Sequence, residues 1–135
     1  MEKAKVRLYV DQPLGQGQPV ALGADAANYL FNVMRLGRGA MVALFNGRDG
    51  EWQAEVAEAG KRQGIAICQA QSAPQVIPPD LWLVFTPIKK DRTAFVVEKA
   101  VELGVARIVP VATRHMNSER WRADKQAAHA VEAAE

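Results

Sequence analysis

Two apolar runs, LWLVFT (81–86) and RIVPV (107–111), flank a segment with helical spacing, and nothing else in the chain restricts its fold as much. A near-continuous apolar run of this length reads as a strand covered on both faces. Asp91 stands where an N-cap belongs, and residues 92–103 read as a helix with Ala94, Val97 and Val101 on one stripe and Phe95 beside it. Gly104 stands at the C′ position. Strand, helix and strand in about 30 residues make a βαβ unit, hence a parallel sheet and an α/β fold.

Residues 1–72 have a different character, with short β-rich runs punctuated by turn formers. VRLYV (6–10) and PVALG (19–23) are strands separated by the breaker-rich DQPLGQGQP. ADAANYLFNVMRL places Ala27, Leu30, Val33 and Met34 at helical spacing, with Gly37 as the stop. A hairpin follows: Val42 and Leu44 alternate, NGRDG turns, and Trp52, Ala54 and Val56 alternate on the return. GKRQG is a further turn and IAICQA a last strand. About five strands and one helix suit a small β-barrel, whose closure removes exposed edges.

QSAPQVIPPD carries three prolines and reads as a linker, assigned to 73–80 between a domain at 1–72 and another at 81–135. From Ser118 a final alanine-rich helix is expected, with Trp121, Ala128 and Val131 starting its apolar face. Two parallel strands cannot bury a sheet. The second domain is therefore expected to be incomplete as given, or to complete its sheet with another molecule.

Charge is nearly balanced, at 17 Lys+Arg against 15 Asp+Glu and a net +2, which excludes a basic tail but permits a local basic patch. The single cysteine, Cys68, excludes an internal disulfide and reads as a small buried hydrophobe. No run approaches a membrane span, and the N-terminus MEKAKVRLYV lacks the apolar core of a signal peptide, so a cytoplasmic location is expected.

TPIKKDR lies between a strand and a helix N-terminus, where open α/β sheets bind ligands. Free backbone N–H groups, the helix dipole and Lys89, Lys90 and Arg92 would favour an anion there, although the spacing fits a solvated loop as well. Neither GxxxxGK[ST] nor GxGxxG occurs. Glu98 and Glu102 read as solvated helix residues with Lys99 and Arg107 in reach, His129 as a surface or packing residue, and His115 as a loop residue that could line a site. No metal site and no nucleophilic triad are expected. In the first domain Arg7, Arg35, Arg38, Arg48, Lys61 and Arg62, with Tyr9, Tyr29 and Phe45 nearby, could form an RNA surface or simply decorate turns.

VMRLGRG, LFNG, DR…VEKAVELGVARIVP and the closing EAAE, within a pattern running from RLYV to EAAE, resemble the RsmE family. The resemblance implies a PUA-like N-terminal barrel, then a SPOUT-class α/β domain with a trefoil knot, working as a homodimer. It further implies methylation of uridine N3 in small-subunit (16S) ribosomal RNA with S-adenosylmethionine as methyl donor. Two segments depart from the family pattern: Tyr29-Leu30 precedes NVMR where a histidine is common, and TRHMNSER stands where a Glu-Arg pair usually begins the segment. The family's Gly-Pro-Glu-Gly-Gly loop and Leu-Gly-x-x-x-Leu-Arg segment do not occur, so cofactor-binding residues are expected beyond Glu135 and this chain alone is expected to be inactive. The resulting RNA-binding assignments are Arg7, Arg35 and Arg38 in the barrel and Lys89, Lys90 and Arg92 at the strand-to-helix mouth, all positioning phosphates. No catalytic base is assigned. A non-enzymatic RNA-binding module and an inactive oligomerisation fragment are the alternatives.

Overall fold

In a computed structural model, residues 3–87, 90–112 and 121–135 are described, Lys90 by its backbone alone. The chain divides into two compact units, Met1–Val76 and Ile77–Glu135.

The first unit holds strands β1 (Arg7–Tyr9), β2 (Pro19–Leu22), β3 (Met41–Phe45), β4 (Glu51–Ala59) and β5 (Gly64–Ala73) in one sheet of order β1-β3-β4-β5-β2. The hairpin has the register its alternation predicts, with Val42 opposite Ala54 and Leu44 opposite Trp52. Each strand contributes to a single core that includes Leu8, Val20, Val42, Leu44, Ala54 and Cys68. Cys68 is buried as expected, and that burial pushes its thiol pKa up, keeping it protonated and inert.

β1 and β2 end the ladder order, and a side chain from the segment after β1 bonds to the outer edge of β2. The Gln12 carboxamide donates to the Ala21 carbonyl at 2.6 Å and accepts from the Ala21 N–H at 3.0 Å. Gln12 thus imitates a peptide unit and covers the edge that strand pairing leaves open.

The NGRDG turn is held by its own first and third polar side chains. Asn46 Oδ1 accepts the N–H groups of Arg48 and Asp49, and Asn46 Nδ2 donates to Asp49 Oδ2 at 2.7 Å and to the Gln12 carbonyl at 2.9 Å. The Leu14 N–H donates to the same Asp49 carboxylate. The Asn46 side chain, the Leu14 N–H and, to a smaller extent, Arg48 hold the Asp49 carboxyl below its ordinary pKa.

The second unit is the expected βαβ: β6 (Trp82–Phe85) runs parallel to β7 (Arg107–Pro110), linked by α2 (Lys90–Glu102). A further helix, α3 (Ala123–Ala134), packs on α2. α2 starts at Lys90, so Asp91 is an acid in the first turn, favourable to the dipole, and is not the cap. Its buried residues are Thr93, Val97 and Ala100, while Phe95 is exposed beneath the Lys99 ammonium. At its end Gly104 has φ 79°, with Val105 N–H donating to Ala100 O at 3.1 Å and Gly104 N–H to Val101 O at 3.0 Å. That pair is the Schellman pattern.

α3 begins at Ala123, with Arg122 extended, so the helical start expected at Ser118 does not hold at 121–122. Residues 113–120 lie outside the described residues. Gln126 is the buried residue of α3 and Ala128 is exposed, while Trp121 stacks edge-on against Phe85 at 5.8 Å. β6 has one uncovered face, contrary to the expectation for LWLVFT: Trp82 and Val84 are exposed.

Candidate nucleic-acid interface

Residues 24–36 were expected to bury Ala27, Leu30, Val33 and Met34 together. Ala27 and Leu30 are fully buried, but Val33 and Met34 are 60% and 41% exposed. The winding explains the difference. Only Ala24–Ala27 (α1) is α-helical, and Asn28–Val33 form a π-helix. Met34 N–H donates to Tyr29 O at 2.9 Å and Leu36 N–H to Leu30 O at 2.8 Å, reaching back five and six residues. These wider turns carry residues 33 and 34 round to solvent and return Leu36 to the core. No sequence signal marks the change of winding, because the same apolar residues serve either helix.

The chain leaves this helix through Arg35, at φ 55°. Gly37, the expected stop, does not adopt positive φ, and every other described residue with positive φ is a glycine. A side chain in the left-handed region costs about 1–2 kcal/mol. Such strain concentrates at functional positions, where surrounding structure maintains it.

Arg35 and Arg38 are both exposed, and neither has an ion pair among the described residues. The segment beyond Arg35 is strapped to β4, with Gly39 N–H donating to Val56 O at 2.8 Å and Val56 N–H to Ala40 O at 2.9 Å. Arg38 borders a shallow recess of about 310 Å³ that it shares with Glu55 and Gln69. On its other side the π-helix abuts the β4–β5 turn. A Cβ on Gly64 would meet Phe31 Cε2 at 2.7 Å, so only glycine lets the ring approach. That turn carries the exposed Lys61 and Arg62, and Arg62 borders an open groove of about 820 Å³ with Gln12, Glu58 and Gln63.

Arg7 is placed elsewhere. Its Nε donates to Glu51 Oε2 at 2.7 Å, and its guanidinium lies 4.6 Å over the Phe45 ring. Glu51 and Val56 are about 16 Å apart along β4 at strand spacing, so Arg7 does not join Arg35 and Arg38. Burial opposes ionisation of Glu51, but hydrogen bonds from Ser72 and Arg7 and the charges of Arg7 and Lys3 outweigh it and hold its pKa down. Tyr9 and Phe45 are edge-to-face at 5.8 Å, so both are engaged within the barrel.

In the second unit, Lys89, His115 and the Lys90 side chain lie outside the described residues, and Arg92 is exposed in the first turn of α2. α2 and α3 line a cleft of about 630 Å³ with Asp91, Glu98, Glu102 and Glu132 around Phe95 and His129. Lys99 donates to Glu102 at 3.0 Å and lies 3.9 Å from Glu98. Arg107 stacks instead on Trp82, 4.7 Å from the ring centroid. Among the described residues no cluster of three His, Cys, Asp or Glu could hold a metal, and no helix is long and apolar enough to cross a membrane.

Residues 22–67 match the RNA methyltransferase PUA domain and residues 76–135 the RNA methyltransferase domain. Over 109 residues the chain is 29% identical to the ribosomal RNA small subunit methyltransferase E of Rickettsia conorii, covering 80% of this chain and 45% of that protein. The crystal structure of a ribosomal RNA small subunit methyltransferase E from Neisseria gonorrhoeae, bound to S-adenosyl methionine, superposes with a TM-score of 0.78 at 27% identity, covering 95% of this chain and 53% of that one. A putative methyltransferase of Legionella pneumophila shares the fold, with a TM-score of 0.82 at 24% identity over 98% of this chain and 57% of its own. The chain thus spans about half the length of these relatives. With matches to these two domains in this order, and with this fold, the chain is similar to the RsmE proteins among RNA methyltransferases.

Proposed function

We propose that this chain serves S-adenosylmethionine-dependent methylation of small-subunit ribosomal RNA, at uridine N3, in the cytoplasm and as a homodimer. The Met1–Val76 unit grips the RNA in this reading, and the other unit contributes the first βαβ of the catalytic domain. The observation that carries the reading is the ordered match of both units to RNA methyltransferase domains. Arg35 and Arg38, without ion pairs among the described residues, support it, since phosphate contacts need cations not already neutralised. Lys89, Lys90 and Arg92 remain in the proposal as phosphate-positioning groups at the start of α2, and Arg7 as one whose guanidinium is shared with Glu51.

The described residues do not by themselves fit the methyl donor. An adenosine site is an apolar slot with several convergent polar groups. The apolar recess of about 290 Å³ beside β7 is lined by Val97, Val101, Ile108 and Trp121, with Gln126 and Arg107 as its polar lining residues. The cleft between α2 and α3 is ringed by carboxylates. No methyl-transfer step is therefore assigned to these residues. This poor fit favours a second reading, RNA binding by these residues without methyl transfer.

Calorimetry with S-adenosylmethionine and RNA-binding titrations test the proposal together. We expect no saturable heat with the cofactor, and RNA affinity that falls steeply with salt. Micromolar cofactor binding by this polypeptide would overturn the placement of the donor site. Salt-insensitive RNA binding, or binding unchanged after replacing Arg35 and Arg38 with alanine, would overturn the phosphate surface.

A further inference from the structure

The exit of the π-helix brings together two features that do not ordinarily coincide. Val33 and Met34 are 60% and 41% exposed, and the residues immediately following include two arginines without ion pairs among the described residues. The backbone there holds Arg35 in the left-handed region, where the other described residues with positive φ are glycines. A glycine at 35 would make the same turn without strain.

We infer that Val33, Met34, Arg35 and Arg38 form a ledge for a single unpaired RNA nucleotide, a conclusion that rests on the RNA-binding reading above. Val33 and Met34 offer an apolar seat for a base, and the arginines meet the phosphates on either side of it. Charge complementarity argues for a polyanion. The apolar pair argues for an unstacked base, because a duplex presents backbone and groove edges while its base faces stay covered. The π-winding turns Val33 and Met34 outward, and the Arg35 backbone fixes where the guanidinium starts.

Fluorescence anisotropy tests this with a labelled oligouridine of about ten nucleotides and an RNA duplex of equal length. The full chain is expected to prefer the single strand. Arg35→Gly should weaken single-strand binding about tenfold, as for loss of a charge-assisted hydrogen bond, while raising the thermal midpoint of the chain. Arg35→Lys should keep most of the affinity, and Lys5→Ala, removing equal charge elsewhere, should change it less than about twofold. Met34→Ala should weaken binding of the single strand and leave duplex binding unchanged. Arg35→Gly binding the single strand like the original chain would overturn the ledge. A preference for duplex would also overturn it while leaving RNA binding intact. Binding to neither probe would end both readings.

Discussion

The side chain of Gln12, in the segment after β1, is hydrogen-bonded twice to the backbone of Ala21 on β2, donating at 2.6 Å and accepting at 3.0 Å, along the edge of an end strand of the sheet. A side-chain amide there substitutes for a missing rung. It uses both of its functions, donor and acceptor.

Gln12→Ala should therefore destabilise the first unit by about 1 kcal/mol, as for net loss of partly solvated hydrogen bonds. Gln12→Glu keeps the acceptor but sets a carboxylate against the Ala21 carbonyl, and at neutral pH should cost at least as much. Below about pH 4 its protonation restores a donor, so the deficit relative to the original chain should shrink. Urea unfolding at both pH values measures this. A deficit independent of pH would contradict the two-bond role.

Gly64 gives the second prediction. A Cβ there would meet Glu58 O at 2.7 Å and Phe31 Cε2 at 2.7 Å, one a strand carbonyl and the other a packed ring. Gly64→Ala should cost about 1–3 kcal/mol. Combined with Phe31→Ala the two losses should sum to less than their separate values, because the ring clash is then gone. Additive losses in thermal melts would show that the ring does not press on Gly64.

Asp49 couples the hairpin turn to Leu14 through a carboxylate whose pKa lies below its ordinary 3.8. A carboxyl with a depressed folded pKa contributes stability that is complete above the unfolded value and lost as pH falls through the folded one. Acid should therefore erode barrel stability below pH 3.8, not between pH 5 and 7. In Asp49→Asn the amide oxygen can still accept from Asn46 and Leu14, but this part of the acid dependence should vanish. Equal slopes in the two proteins between about pH 4 and 2 would refute the assignment.

In the second unit, Gly104 holds φ 79° at the end of α2. Gly104→Ala forces a side chain into the left-handed region and should cost about 1 kcal/mol, while Gly104→Asn should cost less. Hydrogen exchange of the Val105 amide, bonded to Ala100 O, would report the loosening directly. Unchanged protection in the alanine variant would exclude the capping role.

The sequence by itself determined the βαβ order, the register of the 41–59 hairpin and the helix stop at Gly104. Each rests on local rules, namely alternation, turn chemistry and a glycine at a capping position, which neighbouring residues specify among themselves. Cys68 was legible for a similar reason, being a small apolar residue inside a strand run. Only the tertiary structure decided the π-winding of Asn28–Val33, because its alternative satisfies the same local spacing and Phe31 packing against Gly64 arises between residues distant in sequence. It also separated Arg7 from Arg35 and Arg38, since a charge pattern carries no information about which cation finds a carboxylate. Arg7 found Glu51, 44 residues away. Arg35 and Arg38 have no such partner among the described residues, and their freedom is a property of the folded surface alone.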